Sequence, residues 1–581
     1  MQKLWRLKSE PTTNDFEAMF PDISRAILSN RNIDSQTEVE TILTPSYERD
    51  LHDPFLLLDM DKAVERILRA IKDNEKILVF GDYDADGVPA TTLLVSFFKK
   101  ISFKNLDTYI PDRHNEQYGL SIATIEKFSE DKVDLIVTVD CGVSNVEEIK
   151  RANELGIDVV VTDHHTVPEV IPEALAVINP KRPGSPYPYK YLSGTGVAFK
   201  LVQALIKKGN FADIPLGWEK WLLDLVAIAT VADMVPITGE NKTLVNFGLK
   251  VLRKTKRRGL LSLFNVLKLK PEHLQEDDIG FMIGPRINSA GRMSHANEAL
   301  KLLLSEDDLE ATTIAKGLEA NNKNRRNQVE EILIAADQQF ADKEPEAVIV
   351  CGHESWGLGV LGLAAGRIAE KYKRTTFVWA RNGNGEIKGS CRSDGAVNVV
   401  ELMAEANKKK IFLDFGGHDF AGGFSLTESN LKKLPAVLNK TLAKLPKKEV
   451  VAELEADMKL QFTDITWANY GEVERLSPYG IDFPKPVFWF TNLTIESVKE
   501  FGKTGGHLEI KFTDSDEMSF SAIAFFACHP KTDFSHPDNH FWSGVTLASG
   551  RKVEILAHIE KSTFKWKPEL RLRIVDIRKM E

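Results

Sequence analysis

Over residues 60 to 300 the chain alternates short apolar runs with amphipathic stretches. Ile77-Leu78-Val79-Phe80, Val133 to Val139 and Val159-Val160-Val161-Thr162 are runs of strand length, and Leu225 to Ala232 reads as a fourth. Between them, stretches such as Asp61 to Ile71 repeat apolar residues at i, i+3, i+4 and i+7, the spacing of one helix face. Strands alternating with helices predict an α/β domain with a mostly parallel sheet.

The pattern changes three times along the chain. Residues 305 to 343 hold one glycine and no proline, which predicts a single helix about 55 Å long. Ser305-Glu306-Asp307-Asp308 offers a variant capping box for its start. Its middle, Glu319 to Arg326, is almost wholly polar, as in helices that bridge domains through solvent. From about residue 345 an α/β pattern restarts, with strands at Ala347 to Val350 and Thr375 to Trp379 around a helix at Gly359 to Ala369. Past residue 450, strand-length stretches at Val487-Trp489, His507-Phe512, Phe520-Phe526, Lys552-His558 and Leu570-Ile577 predict a small β-barrel of the OB-fold type. Ile23 to Leu28 and Val39 to Leu43 read as short helices capping the domain that follows. The expected layout is a cap at 1–50, a parallel-sheet domain at 51–304, a connecting helix at 305–343, a smaller α/β domain at 344–447 and the barrel at 448–581.

Composition narrows the class. A chain of 581 residues is too long for one core, and 43% hydrophobic with 27% charged residues is ordinary for a soluble globular protein. Cys141, Cys351, Cys391 and Cys528 are unclustered, which argues against a disulfide framework or a zinc knuckle and for a reducing, cytoplasmic setting. Neither a signal peptide nor a membrane span is expected. The net charge of −9 counts mildly against a nucleic-acid binder, but such a footprint is local. Arg253-Lys254-Thr255-Lys256-Arg257-Arg258 is one basic run. The tail is another, with Lys565, Lys567, Arg571, Arg573, Arg578 and Lys579. Phe564 and Trp566 beside it would either stack bases or fill the barrel core.

The apolar runs end on chemistry. The first delivers Asp82-Tyr83-Asp84-Ala85-Asp86-Gly87, the second Asp140, the third Asp163-His164-His165 and the fourth Asp233. Taken as parallel strands, they bring these residues to one sheet edge, where α/β folds bind ligands. Crowded carboxylates suit Mg²⁺ or Mn²⁺, and two ions bridged by a carboxylate clamp an in-line attack on phosphorus. Taken singly, each residue has a plainer reading. The acidic run would be a solvated turn, Asp140 a cap for a helix opening near Ser144, and Asp233 a turn residue. Arg286, Asn288 and Arg292 lie among small residues that would let a phosphate approach, or else in a solvated turn. Ser390, Arg392, Gly416, Gly417 and His418 read as glycine-rich turns that nest anions or merely shape the chain. Gly194 and Gly196 read as packing positions.

This ordered set resembles the DHH phosphoesterase superfamily. With Gly284 to Arg292, Gly389 to Ser393 and Gly416 to Gly423 it resembles the RecJ family of single-strand-specific DNA exonucleases, from about residue 50 to the C-terminus. The resemblance implies a DHH domain, a DHHA1-like domain and an OB-fold-like barrel. It implies two divalent ions, Mn²⁺ or Mg²⁺, on Asp82, Asp84, Asp86, Asp140, His164 and Asp233, with Asp140 bridging. His165 would be a phosphate-facing acid or electrostatic clamp, and Asp163 would fix a histidine ring. Arg286, Asn288, Arg292, Ser390, Arg392, Gly416, Gly417 and His418 would grip the substrate. The implied activity is 5′-to-3′ hydrolysis of single-stranded DNA in repair and recombination, by a monomer working with a single-strand-binding protein and a helicase. Several positions depart from the family pattern: Phe80 and Gly357 stand where relatives often place histidine, with His353 near the latter, Pro89 stands where they usually have a small or hydroxyl residue, and Pro478-Tyr479-Gly480-Ile481-Asp482 lacks the usual Asn soon after. A phosphodiesterase acting on short oligonucleotides or cyclic dinucleotides, and an inactive DNA-binding scaffold, remain open alternatives.

Overall fold

In the computed structural model, the first three apolar runs form the core of a five-stranded parallel sheet. Its spatial order is Leu106–Tyr109, Ile77–Gly81, Leu135–Val139, Asp158–Thr162, Ala176–Ile178. The structure describes residues 4–8, 21–113, 115–116, 118–340, 344–382, 385–446, 453–502, 506–525, 527, 541–542, 545–562 and 567–580. Cys528, Phe564, Lys565 and Trp566 lie outside the described residues. Ile77–Gly81 and Leu135–Val139 are buried at every position, which is why they read as unbroken apolar runs. The register sets Gly81 beside Val139 and Val139 beside Thr162. The residues that follow each strand, Asp82, Asp140 and Asp163, therefore emerge level on one edge.

The fourth run is not a strand. Leu223–Ala232 is a helix with Asp233 as its C-cap. Its residues from Leu223 to Thr230 are all buried, and a helix buried all round shows no polar stripe to set it apart from a buried strand.

The second α/β domain has a five-stranded mixed sheet in the order Phe412–His418, Ala421–Leu426, Ile387–Arg392, Thr375–Arg381, Val348–Gly352. The expected glycine-rich turns are strands here: Gly416 to His418 pair with Ala421 to Gly423, which pair with Ser390 to Arg392. Gly417 has φ +144°, and a Cβ there would lie 2.3 Å from the Ala421 carbonyl oxygen, so the hairpin requires glycine.

The connecting helix is Asp308–Gln339, roughly 48 Å by its rise per residue. Asp307 caps it, accepting the Glu310 amide at 2.7 Å. It does not cross solvent. Ala311, Ala315, Leu318, Asn322, Val329, Ile332 and Ala336 form a buried face. This face packs on the helices Arg258–Leu267, Gly284–Met293 and Leu361–Tyr372. The polar middle carries specific partners: Glu319 pairs with Arg286 at 2.7 Å, and buried Asn322 accepts from Arg325 at 2.9 Å.

A separate compact unit gathers Met1–Leu51, Pro236–Asn246 and Val451–Glu581. Its barrel runs Phe488–Phe501, His507–Thr513, Ser519–Ala524, Glu569–Lys579, Lys552–Ser562, and pairing of the first strand with the last closes it. The helices Asp22–Ser29 and Gln36–Leu43 form as expected, but they bury Ile23, Ile27, Val39 and Ile42 in one core with Phe488, Phe490 and Leu508. They belong to the barrel unit, a partner that helical spacing could not name because it defines only an apolar face. Among the described residues no helix is long and apolar enough to cross a membrane.

Candidate metal centre and the neighbouring cleft

Strand ends and one helix end deliver the acidic residues to one place. Three groups have ligand atoms within 4.8 Å of one another: Asp82 with Asp84 and Asp140; Asp86 with His164 and Asp233; Asp140 with His164 and His165. Asp140 and His164 are shared between groups, and His164 Nε2 lies 3.1 Å from Asp140 Oδ1, 3.7 Å from Asp233 Oδ2 and 3.8 Å from Asp86 Oδ2.

Each residue is held by local structure. Asp84 Oδ1 accepts the amides of Asp86 and Gly87 at 2.8 and 3.1 Å, which closes the acidic loop onto the helix Gly87–Lys100. Asp86 accepts the Gly194 and Thr195 amides at 2.6 and 2.7 Å. Those amides open the helix Gly194–Gly209, so a carboxylate sits at its positive end. Gly194 is thus more than a packing position: a Cβ there would fall 2.4 Å from Asp140 Oδ1. Asp140 has φ +61°, a conformation that turns its carboxylate sharply off the strand. It is not a helix cap, since the Val146–Glu154 helix starts at Asn145.

Asp163 orients instead of joining the metal groups. Its Oδ1 accepts the amides of His164 and His165 at 2.7 and 3.0 Å and lies 2.8 Å from His165 Nδ1. Its Oδ2 accepts the Val143 amide at 2.9 Å. Asn179 donates to the His165 carbonyl at 3.0 Å.

The electrostatics are lopsided. Burial and neighbouring carboxylates push Asp82 and Asp140 well above the usual carboxylate range. Burial and the charges of Asp86 and Asp84 raise Asp233 to about 8; burial and Asp84 raise Asp86 to about 6. Burial, then the charge of His165, lowers His164 to about 3. His165 is opposed by burial, yet its bond to Asp163 and the Asp163 charge raise it to about 9. Asp82 Oδ1, Asp140 Oδ1 and His164 Nε2 are buried without a hydrogen-bond partner. Buried polar atoms left in this way are costly unless something binds them. Carboxylate oxygens and a neutral imidazole are the donors that divalent cations take, so the residues present fit such ions.

Beside this cluster lies a cleft of about 480 Å³ lined by Arg292, Gln328, Trp356, Gly357 and Lys388 among others. Arg292 is held by the Gly359 carbonyl at 3.2 Å, and burial, then Arg113 and Arg325, lower it to about 9. Arg392 is likewise lowered by burial, with Arg113 adding to the effect. Arg113 sits 4.7 Å over the Tyr83 ring. These cations depress one another, as groups poised for an anion do. Ser390 lies on the same strand as Arg392, near Gly362.

Several of the expected substrate contacts are tied into the fold. The Arg286 guanidinium is committed to Glu319 at 2.7 Å and to the carbonyls of Met282 and Phe281 at 3.1 and 3.3 Å, which makes it a buried structural clamp. Asn288 accepts the Ala85 amide at 3.0 Å and so steadies the acidic loop. Gly416, Gly417 and His418 lie in the hairpin, with their backbones in the strand ladder. Phe80 packs against Tyr109 and Phe128, and Asp82 stands with Asp84 and Asp140. At Gly357 a Cβ would lie 2.7 Å from Gln328 Oε1, so Gln328 takes up the space beside that position. His353 bonds to Ser355 at 2.8 Å. The sequence reading took Gly194 for a packing position and passed over Thr195, Arg113, Arg325 and Asn179. Of these only Gly194 carried a signal, a glycine at a helix entrance.

Comparison with known proteins agrees with this geometry. The DHH family, N-terminal domain, matches residues 76–230; the DHHA1 domain matches 346–444; the RecJ OB domain matches 456–576. The single-stranded-DNA-specific exonuclease RecJ of Bacillus subtilis is 36% identical over 85% of this chain, which spans 61% of that protein's length. The protein of the same name from Dickeya dadantii is 32% identical, over 84% of this chain and 87% of its own. The crystal structure of RecJ in complex with Mn²⁺ from Thermus thermophilus superposes with TM-score 0.79 at 26% identity, covering 100% of this chain and 80% of that one. With three domain matches in order and a relative 32% identical covered over 87% of its length, the chain belongs to the RecJ family of DHH phosphoesterases.

Proposed function

We propose that the protein is a metal-dependent exonuclease on single-stranded DNA. The observation that carries this reading is the sharing of Asp140 and His164 among three groups of potential metal ligands, with their buried donor atoms otherwise unpartnered. Asp82, Asp84 and Asp140 would hold one divalent cation, Mn²⁺ or Mg²⁺, and Asp86, His164, Asp233 and Asp140 a second. Bound there, the cations would supply Lewis-acid activation of water and neutralise charge at phosphorus.

The remaining work falls to the chain's own side chains. Asp163 fixes the His165 ring and favours its protonated form, so His165 would present positive charge and a transferable proton to a phosphodiester. Arg292 and Arg392 hold phosphates of the substrate, and Arg113 adds charge between them. Asn288 and the Gly194-Thr195 amides hold the acidic loop. The barrel, which matches the RecJ OB domain, supplies a further surface for the strand. All six metal-ligand candidates and the orienting Asp163 are present, which favours catalysis over an inactive scaffold.

The test is cleavage of 5′- and 3′-end-labelled single-stranded DNA with Mn²⁺ and with chelator. Metal-dependent release of mononucleotides from single strands, with a duplex of the same sequence spared, supports the reading, and the label lost first gives the polarity. No cleavage with any divalent cation would overturn it.

A further inference from the structure

The basic run from Arg253 to Arg258 is not part of the metal centre. Arg253 is tied to the Leu274 carbonyl at 2.7 and 2.9 Å. Beyond it, a cavity of about 630 Å³ opens between the end of the helix Gly87–Lys100, the short helix Trp218–Leu222 and the start of the helix Arg258–Leu267. That volume is in the range of small-molecule sites. We propose that this cavity is a second nucleotide-binding site, one that takes a nucleoside phosphate by stacking its base on tryptophan and holding its phosphate on cations.

Two independent features point to that ligand. The first is charge placed against the local field. Lys256, Arg257 and Arg258 crowd the N-terminus of the helix Arg258–Leu267, where the helix dipole is positive and where acidic residues are favoured. The first turn has no acidic residue, and the N-cap Arg257 makes no side-chain cap. Lys99 and Lys100 bring the cations of the wall to five. The acidic groups nearby answer only part of this charge. Asp224 is buried and spent on Thr255 and Arg257, at 3.0 Å each, and Glu306 lies 3.5 Å from Lys99. Arg258 has an exposed partner, Asp308. An anion at the helix start would relieve both the dipole and the cation crowding, which is how helix N-termini take phosphates.

The second feature is aromatic. Trp218 and Trp221 line the same cavity, and Trp221 is 49% exposed, a large apolar surface left in water beside cations. Tryptophans and lysines lining one cavity are the elements of base stacking with phosphate capture. A free phosphate would leave the tryptophans unused, and an apolar ligand would leave the cations unused.

The site is independent of the metal centre, so its test needs no catalysis. Binding of dAMP, and separately of a (dT)8 strand, is measured by calorimetry on the full chain in chelator. It is then repeated in Trp221→Ala, in the Lys100→Glu/Lys256→Glu pair and in Arg392→Ala. The expected result is saturable dAMP binding that falls at least tenfold in the first two variants and persists in Arg392→Ala. Deoxyadenosine and inorganic phosphate should each bind at least tenfold more weakly than dAMP. Nuclease activity in the Trp221 and lysine variants stays within twofold of wild type if the protein is a nuclease, and the binding result stands either way. Tighter binding of (dT)8 than dAMP, lost in the same variants, would make the natural occupant a nucleotide within a strand; the reverse order makes it a free nucleotide. Absence of saturable binding of either probe overturns the proposal, as does binding that only Arg392→Ala removes. Trp221 is half exposed and the lysines lie on the surface, so unchanged melting temperatures should separate loss of binding from loss of fold.

Discussion

Two buried acidic residues of this molecule meet opposite fates. In the barrel unit, Asp457 accepts from Arg31 at 2.9 Å through one oxygen and from the Val487 amide at 2.9 Å through the other. Arg31 also donates to the Ile27 carbonyl at 2.8 Å and to the Pro484 carbonyl. Every charge is answered, and the pair ties the N-terminal helix to the barrel. In the sheet domain, Asp140 is as deeply buried, yet its Oδ1 has no donor and its neighbours are carboxylates. Burying unanswered charge opposes folding. A satisfied buried ion pair holds a fold together; a cluster left unsatisfied at one sheet edge holds a place for cations.

The sharpest way to break this contrast is to remove Asp140. Asp140→Ala should lower metal-dependent cleavage at least about 10³-fold, since it deletes the carboxylate shared by two cation positions. Elemental analysis should show lost metal, while circular dichroism should remain that of the wild type. Activity within tenfold of wild type would remove the bridging assignment.

Asp457→Ala attacks the other side of the comparison. Breaking a buried ion pair from one partner costs about 3–5 kcal/mol, because Arg31 is left charged and unpaired. The barrel unit should melt earlier, read by differential scanning calorimetry, with bound metal unchanged. A shift within error would mean that Arg31 finds water or other acceptors, and the pair would not be structural.

Arg392→Ala should act between these extremes. Loss of a charged contact to phosphate is worth about 1.5–3 kcal/mol, or roughly 10- to 150-fold in kcat/KM. Metal content should not change. If metal leaves with the arginine, the cleft and the metal centre are one site and the separation drawn between them fails.

The same contrast explains what could be read from the sequence. The parallel sheet was legible because Ile77–Gly81 and Leu135–Val139 are buried on both faces, and the level ends of the strands followed from it. Asp84, Asp86, Asp140 and His164 were legible because each follows such a run. Leu223–Ala232 was not, since burial on all sides erased the helical period. The roles of Arg286 and Arg113 were equally hidden. An arginine in a glycine-rich motif looks the same whether it faces a phosphate or, like Arg286, is already spent on Glu319 and two carbonyls. Arg113 lies in a loop with no periodicity, and only the fold brings it near Arg292 and Arg392. The placement of residues 22–43 was open for a related reason, as an amphipathic face shows that it will be buried and leaves its partner unspecified.

His558 offers a milder probe of the satisfied side. It lies half-buried in the barrel, 2.7 Å from the Pro486 carbonyl, and burial, then Arg573, lowers it to about 4. Its folded value lies below its unfolded value of about 6.5, so the unfolded chain binds more protons between these limits. Its contribution is therefore intact above pH 6.5 and lost as pH falls toward 4, amounting to about 1 kcal/mol at pH 5.5. His558→Gln, which can still donate to Pro486, should flatten this part of the pH dependence. An unchanged slope would show that other groups govern acid unfolding of the barrel.

The smallest effect has the most telling sign. In chelated protein, Asp140→Asn keeps the side chain's shape and removes an acid whose ionisation burial, Asp86, Asp84, Asp82 and Asp233 all oppose. It should raise the stability of the sheet domain, on the order of 1 kcal/mol, which for a unit of this size is a melting shift of about 2–4 °C. With Mn²⁺ present the sign should reverse, because the wild type gains binding energy that the variant forgoes. A catalytic cluster that is a burden without its ions predicts this crossing. Asp457→Asn should be destabilised in both conditions, since there the charge has a partner. If Asp140→Asn loses stability in chelator as well, the cluster is part of what holds the sheet edge together, and the two buried acids differ less than their surroundings suggest.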